Sequence, residues 1–151
     1  MRRAGFLFIL GVVWGCGEAP DELTPYVNQL HELSHFNRTI VQYKNYLRTE
    51  GMADKAADVA QVLTAYRDSI SAIGMPANKH IRALHNSMIR SLDEALRRLV
   101  EPDFPTFVPN AERALRVVGS EMTVVINNFA RMWEREGIPQ SFPLVWPGST
   151  D

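Results

Sequence analysis

From residue 24 onward, apolar side chains recur at alternating intervals of four and three, the spacing that gathers them on one side of an α-helix. The clearest run is Met52, Ala56, Val59, Leu63, Tyr66, Ile70 and Ile73, which Gly74 and Pro76 end. A second run holds Ile81, Leu84, Met88, Leu92, Ala95 and Leu99 and stops before Pro102 and Pro105. A third holds Ala111, Leu115, Val118, Met122, Val125, Phe129 and Met132 with Trp133 beside the last, and Gly137-Ile138-Pro139 closes it. Each run predicts a helix with one buried face. The segment ahead of them predicts a further helix over 24–48, with Thr24 as N-cap and Pro25 at the first helical position, where no amide bond is lost. Its apolar side is the widest, holding Tyr26, Val27, Leu30, Leu33, Phe36, Ile40, Val41, Tyr43 and Leu47. So wide a face fits a helix contacted by two neighbours and a tail, or one with a partly exposed docking surface.

No stretch of alternating β-branched residues offers a strand, and short connections near Gly51 and Gly74 make consecutive helices antiparallel neighbours. The predicted fold is all-α, an antiparallel up-down-up-down four-helix bundle over 24–136. Segments of ~25 residues give helices about 37 Å long. Residues 101–109 contain three prolines with Phe104, Phe107 and Val108, which predicts a stiff apolar connection between the third and fourth helices. The tail over 137–151 spaces Ile138, Phe142, Leu144, Val145 and Trp146 with Pro139, Pro143 and Pro147. Too apolar for free solution, it either folds back over a bundle end or groove, or serves as an extended peptide for a partner. The candidate partner-binding residues are therefore Phe36 and Tyr43 on the first helix and Phe142, Leu144, Val145 and Trp146 in the tail.

The start of the chain has a different pattern. Arg2 and Arg3 precede an apolar run over 4–14, followed by Gly15 and by Cys16, the only cysteine. That is the anatomy of an export signal. The run's 11 residues fall short of the ~18 to 20 that a membrane-spanning helix needs. Val13-Trp14-Gly15-Cys16 resembles the lipobox of bacterial lipoproteins. The resemblance implies that 1–15 is a cleaved signal peptide, that Cys16 is the lipid attachment residue (carrying palmitate-type acyl chains), and that 16–23 is a lipidated tether. One acyl chain binds a membrane marginally and several bind it stably, so the lipid would fix the protein in the cell envelope. Gly17 stands where an aspartate retains many such proteins in the inner membrane, which implies the outer membrane, facing the periplasm.

Without residues 1–15, 136 of the 151 residues remain, one domain's worth of chain. Arg2 and Arg3 leave with the leader, so 14 basic residues face 17 acidic ones and the net charge is −3. This balance offers no evident attraction to nucleic acid or to an anionic lipid surface. With one cysteine there is no disulfide, and stability must come from packing.

Few residues suggest chemistry. His31-Glu32-Leu33-Ser34-His35 has the spacing of a zinc peptidase helix, in which two histidines share a metal and the glutamate is general base. The helical projection turns His31 and His35 away from the apolar stripe towards water, and Glu50 is the nearest conceivable third ligand. Glu32 and His35 also make one Glu-x-x-His unit of the kind that di-iron bundles use twice, but the second unit is missing. His85, on the flank of the third helix's stripe, and Met88, on the stripe, are the nearest possible haem ligands. Lys79, Arg82, Arg90 and Arg97 lie opposite that stripe, with Asp93 and Glu94 in reach of the arginines, which predicts a solvated and largely self-paired face. Ser34, Ser69, Ser71, Ser87 and Ser91 lack a glycine-flanked nucleophile turn. The expectation is a non-enzymatic binding, adaptor or assembly module for another envelope component, without a cofactor. The alternatives are a bundle that holds a small ligand, haem or metal, and, behind it, a zinc peptidase.

Overall fold

The computed structural model describes residues 21–46, 53–99 and 107–146, with side chains described from 58 in the second stretch and 110 in the third. The expected signal peptide, Cys16, Glu50, Leu47, Met52 and the prolines at 102 and 105 lie outside these residues. Among the described residues the structure is all-helical, with five helices and no strand: α1 (Leu23–Glu32), α2 (Ser34–Tyr46), α3 (Ala53–Ala72), α4 (Lys79–Leu99) and α5 (Phe107–Arg135).

The predicted first helix is two helices. Leu33 interrupts it with φ −84° and ψ 3°. Around it the Leu33 amide donates to the Leu30 carbonyl and the Phe36 amide to the Leu33 carbonyl, one residue tighter than the α-helical ladder. The break explains the wide apolar side, because the two pieces bury separate sets: Leu23, Tyr26, Val27 and Leu30 in α1, Asn37 and Ile40 in α2. Thr24 is not the N-cap. The Asp21 carboxylate takes that role, accepting the amides of Leu23 and Thr24 at 3.0 and 3.1 Å.

The other stripes form the core as their spacing predicts. Val59, Leu63, Tyr66 and Ile70 of α3, Ile81, Met88, Leu92, Ala95 and Leu99 of α4, and all eight expected residues of α5 are buried. α5 touches every other helix, most extensively α4. It also starts earlier than expected: Phe107, Val108 and Pro109 belong to its first turn and not to a connection. Proline fits there because the first amides of a helix have no partner within it.

Side-chain contacts tie distant turns together. Phe36 stacks on Tyr66 at 5.0 Å, and the Tyr43 hydroxyl donates to Asp58 at 3.4 Å, joining α2 to α3. Arg67 of α3 reaches Asp93 of α4 at 3.7 Å. The Glu22 carboxylate accepts the amides of Ala77 and Asn78 at 2.6 and 2.7 Å, which ties the start of α1 to the turn before α4. Asn78 caps α4 in turn, its side-chain oxygen accepting the His80 amide at 2.9 Å.

Gly137 ends α5 with φ 65°, a left-handed conformation that costs glycine nothing. Its amide donates to the Glu134 carbonyl and that of Ile138 to the Trp133 carbonyl, so the freed carbonyls are satisfied as the chain reverses. Residues 138–146 then return along the body of the protein. No described helix is long and apolar enough to cross a membrane.

Candidate partner-binding surfaces

The tail comes first, because its composition invites two opposite readings. The Trp133 indole N–H donates to the Gln140 carbonyl at 2.7 Å, and Phe142 meets the same indole edge-on at 5.7 Å. Leu144 and Trp146 are each only 6% exposed and belong to the core cluster. The Trp146 indole lies beside Gly119 in the middle of α5. Among Ile138, Phe142, Leu144, Val145 and Trp146, Val145 alone points outward, at 62% exposure. Of the four tail residues singled out from sequence, Leu144 and Trp146 are thus engaged inside the fold, Phe142 is half-buried against Trp133, and Val145 is open.

α2 presents the opposite case. Two of its 13 residues are buried, the lowest share of any helix whose side chains are all described. Phe36 and Tyr43 are half-buried on the α3 side, and Tyr46, 44% exposed, sits edge-on to Tyr43 with ring centroids 6.4 Å apart. Residues 36, 43 and 46 fall at helical spacing, so the three rings make one aromatic edge, held from below by Tyr66 and Asp58. Tyr46 was missed from sequence, because its place beside Tyr43 lies off the core stripe.

His31 and His35 are both exposed, as the projection expects. The break at Leu33 falls between them, so they do not share one continuous helix. His35 Nδ1 is 3.2 Å from the Glu32 carbonyl oxygen and its ring lies on Phe36. Among the described residues no group of three or more His, Cys, Asp or Glu is placed to hold a metal.

His85 is not the boundary residue expected from its flank position. It is buried, and its Nδ1 lies 2.8 Å from the buried Tyr26 hydroxyl. The bond is satisfied with the hydroxyl donating to an unprotonated Nδ1, which leaves the ring proton on Nε2. Burial lowers the His85 pKa, and burial, helped by the proximity of Tyr66, raises that of Tyr26, so both groups favour their neutral forms. Met88 is buried beside Leu92 in the core. The arrangement works as a polar clasp between α1 and α4.

On the outer face of α4, Glu94 accepts hydrogen bonds from Arg97 and Arg98, which hold its carboxyl down at about 2. Arg82 donates instead to the Pro76 and Ala77 carbonyls, and Asp93 pairs with Arg67. Ser69 and Ser91 donate to carbonyls one turn back, as helical serines do. No family model, curated protein or solved structure matches the chain.

Proposed function

We propose that this chain is a lipid-anchored binding module of the bacterial cell envelope, without enzymatic activity of its own, which docks another envelope protein as an adaptor or assembly factor. Residues 1–15 act as a signal peptide, Cys16 carries the lipid, and the helical body hangs into the periplasm from the outer membrane. The body is an antiparallel four-helix bundle in which α1 and α2 count as one interrupted helix. The pairings of residue 36 with 66 and 43 with 58 support that arrangement, since numbers rise on α2 as they fall on α3, and the pairing of 67 with 93 sets α4 beside α3.

The observation that carries the docking role is the aromatic edge of α2. Tyr43 and Tyr46 offer adjacent rings at the surface, with Phe36 two turns back on the same helix, whereas Leu144 and Trp146 of the tail are spent on the protein's own core. Tyrosine and phenylalanine on a rigid helix bury much area on docking while freezing few rotamers, which is why such residues anchor interfaces.

The test is a photo-crosslinking residue at Tyr46 or at Val124 in the anchored full-length protein. A discrete adduct from position 46 that is absent from position 124, and lost in Cys16→Ser, is the expected result. Adducts from 124 alone would move the docking surface off α2. An unchanged adduct in Cys16→Ser would separate the partner from the anchor.

A further inference from the structure

One end of the molecule gathers the segment that leads to Cys16. Residues 21–24, Asn78, Met132 and 136–140 surround a hollow of about 810 Å³. Glu22 and Tyr26 line a second with Gly74, Met75 and Pro76. His80, Arg131 and Arg135 line a third with Leu84 and Asn128. The start of α1, the α3–α4 turn and the end of α5 therefore share one face.

Three properties of that face stand out. Met75 is 60% exposed on the α3–α4 turn, the first residue after Gly74, whose φ of 89° turns the chain there. The turn is braced: Glu22 binds the Ala77 and Asn78 amides, and Arg82 binds the Pro76 and Ala77 carbonyls. Lys79 and His80 follow it at the start of α4, and Arg131 and Arg135 of α5 lie beside His80. The acidic residues there are Asp21, Glu22, Glu134 and Glu136. Asp21 and Glu22 direct their carboxylates to backbone amides, and Glu136 lies 3.9 Å from Arg135. Glu134, Lys79 and Arg131 all face outward.

We infer that this end is a membrane-contacting face, in which Met75 enters the interfacial zone of a phospholipid bilayer while Lys79 and Arg131 meet headgroup phosphates. The inference rests on the lipid anchor at Cys16. Only four residues separate Cys16 from Asp21, five Cα steps that span at most ~18 Å however the chain runs. An acylated Cys16 would therefore keep this end, and no other, at the bilayer. A flexible, polarisable methionine on a braced turn suits shallow insertion, and long cationic side chains around it reach the headgroups.

The experiment uses the acylated full-length chain with Met75→Cys, reconstituted in phosphatidylethanolamine vesicles with and without a quarter phosphatidylglycerol. Cys16 is blocked by its lipid, so a thiol-reactive fluorophore labels position 75 alone. Tyr46→Cys and Val124→Cys serve as reference positions. Lipid-borne quenchers are expected to reduce fluorescence at 75 at least twofold more than at 46 or 124, and more strongly with phosphatidylglycerol present. Co-flotation with the vesicles combined with quenching at 75 no greater than at 46 would overturn the orientation and leave the anchor standing. Quenching that ignores phosphatidylglycerol would remove Lys79 and Arg131 from the contact. A Cys16 peptide of unmodified mass, in protein that does not co-float, would overturn the anchor and this face with it.

Discussion

The Tyr26–His85 bond supports a quantitative prediction, because both partners are buried and each substitution removes one half of a single contact. Tyr26→Phe keeps the ring that packs 5.7 Å from Phe129 and deletes the hydroxyl 2.8 Å from Nδ1. The imidazole nitrogen is then a buried acceptor without a donor, at a cost of about 1 to 3 kcal/mol. For a chain of this size that lowers Tm by roughly 2 to 10 °C. His85→Leu leaves the tyrosine hydroxyl in the same predicament and costs a similar amount. The double variant, with apolar groups on both sides, is expected to lose less than the sum of the two, with a coupling of about 1 kcal/mol or more. Acid adds a second signature. The folded His85 pKa lies below its ordinary value, so the unfolded chain takes the proton first. The associated stability is whole above about pH 6.5 and declines as pH falls below it, and His85→Leu removes that share of the decline. Urea unfolding followed by circular dichroism between pH 7.5 and 5 measures all three effects. Strictly additive single variants, with no change of pH slope in His85→Leu, would refute the clasp.

Three further outcomes follow from the packing. Leu144→Ala removes a buried side chain from the docked tail and is expected to cost about 2 to 3 kcal/mol in thermal or urea unfolding, whereas the neighbouring Val145→Ala changes stability by less than ~0.5 kcal/mol. Gly137→Ala forces a side chain into the left-handed turn that ends α5 and should cost about 1 to 2 kcal/mol by the same measurement. Glu94, depressed to about 2 by Arg97 and Arg98, contributes stability that is present above its ordinary pKa of 4.5 and lost as pH falls towards 2; Glu94→Gln should lower Tm slightly at pH 7 and flatten its acid titration in that window.

Periodicity made much of the fold legible, since a residue that recurs every three or four positions reports on which side of a helix is dry. Val59, Leu63, Tyr66 and Ile70 lie where that rule puts them, as do the buried residues of α4 and α5. The break at Leu33 was not legible, because neither glycine nor proline marks it and the stripe continues through it in slightly rotated form. The wide face of the predicted first helix was its only sign. The early start of α5 was hidden by Pro109, which reads as a breaker unless the helix is known to begin just before it. The Tyr26–His85 clasp joins residues 59 positions apart, so it depends on which helices meet, and no local pattern reports that. The composition of the tail left open whether it folds back or waits for a partner, and its track along α5 was not legible either.

That track bears on which of the two surfaces suits the proposed partner. From Gly119 to Gly137, α5 rises about 27 Å at 1.5 Å per residue. The nine steps from Gly137 to Trp146 cover at most about 30 Å when extended. The Trp146 indole Nε1 lies 3.7 Å from the place a Cβ would take on Gly119, so the tail runs back along α5 to arrive there. Pro139 and Pro143 favour such an extended path, and the Trp133 to Gln140 bond pins its start. Lending Trp146 to a partner would uncover Gly119, and peeling the tail back further would also free Leu144. Releasing both would expose two large apolar side chains, each contributing about 1.5 to 3 kcal/mol by burial, before any new contact forms. Docking on Tyr43 and Tyr46 carries no such cost, since those rings are already at the surface and already held in place. The tail is accordingly a structural strap, and the α2 edge is the surface on which the proposed partner would leave the fold intact.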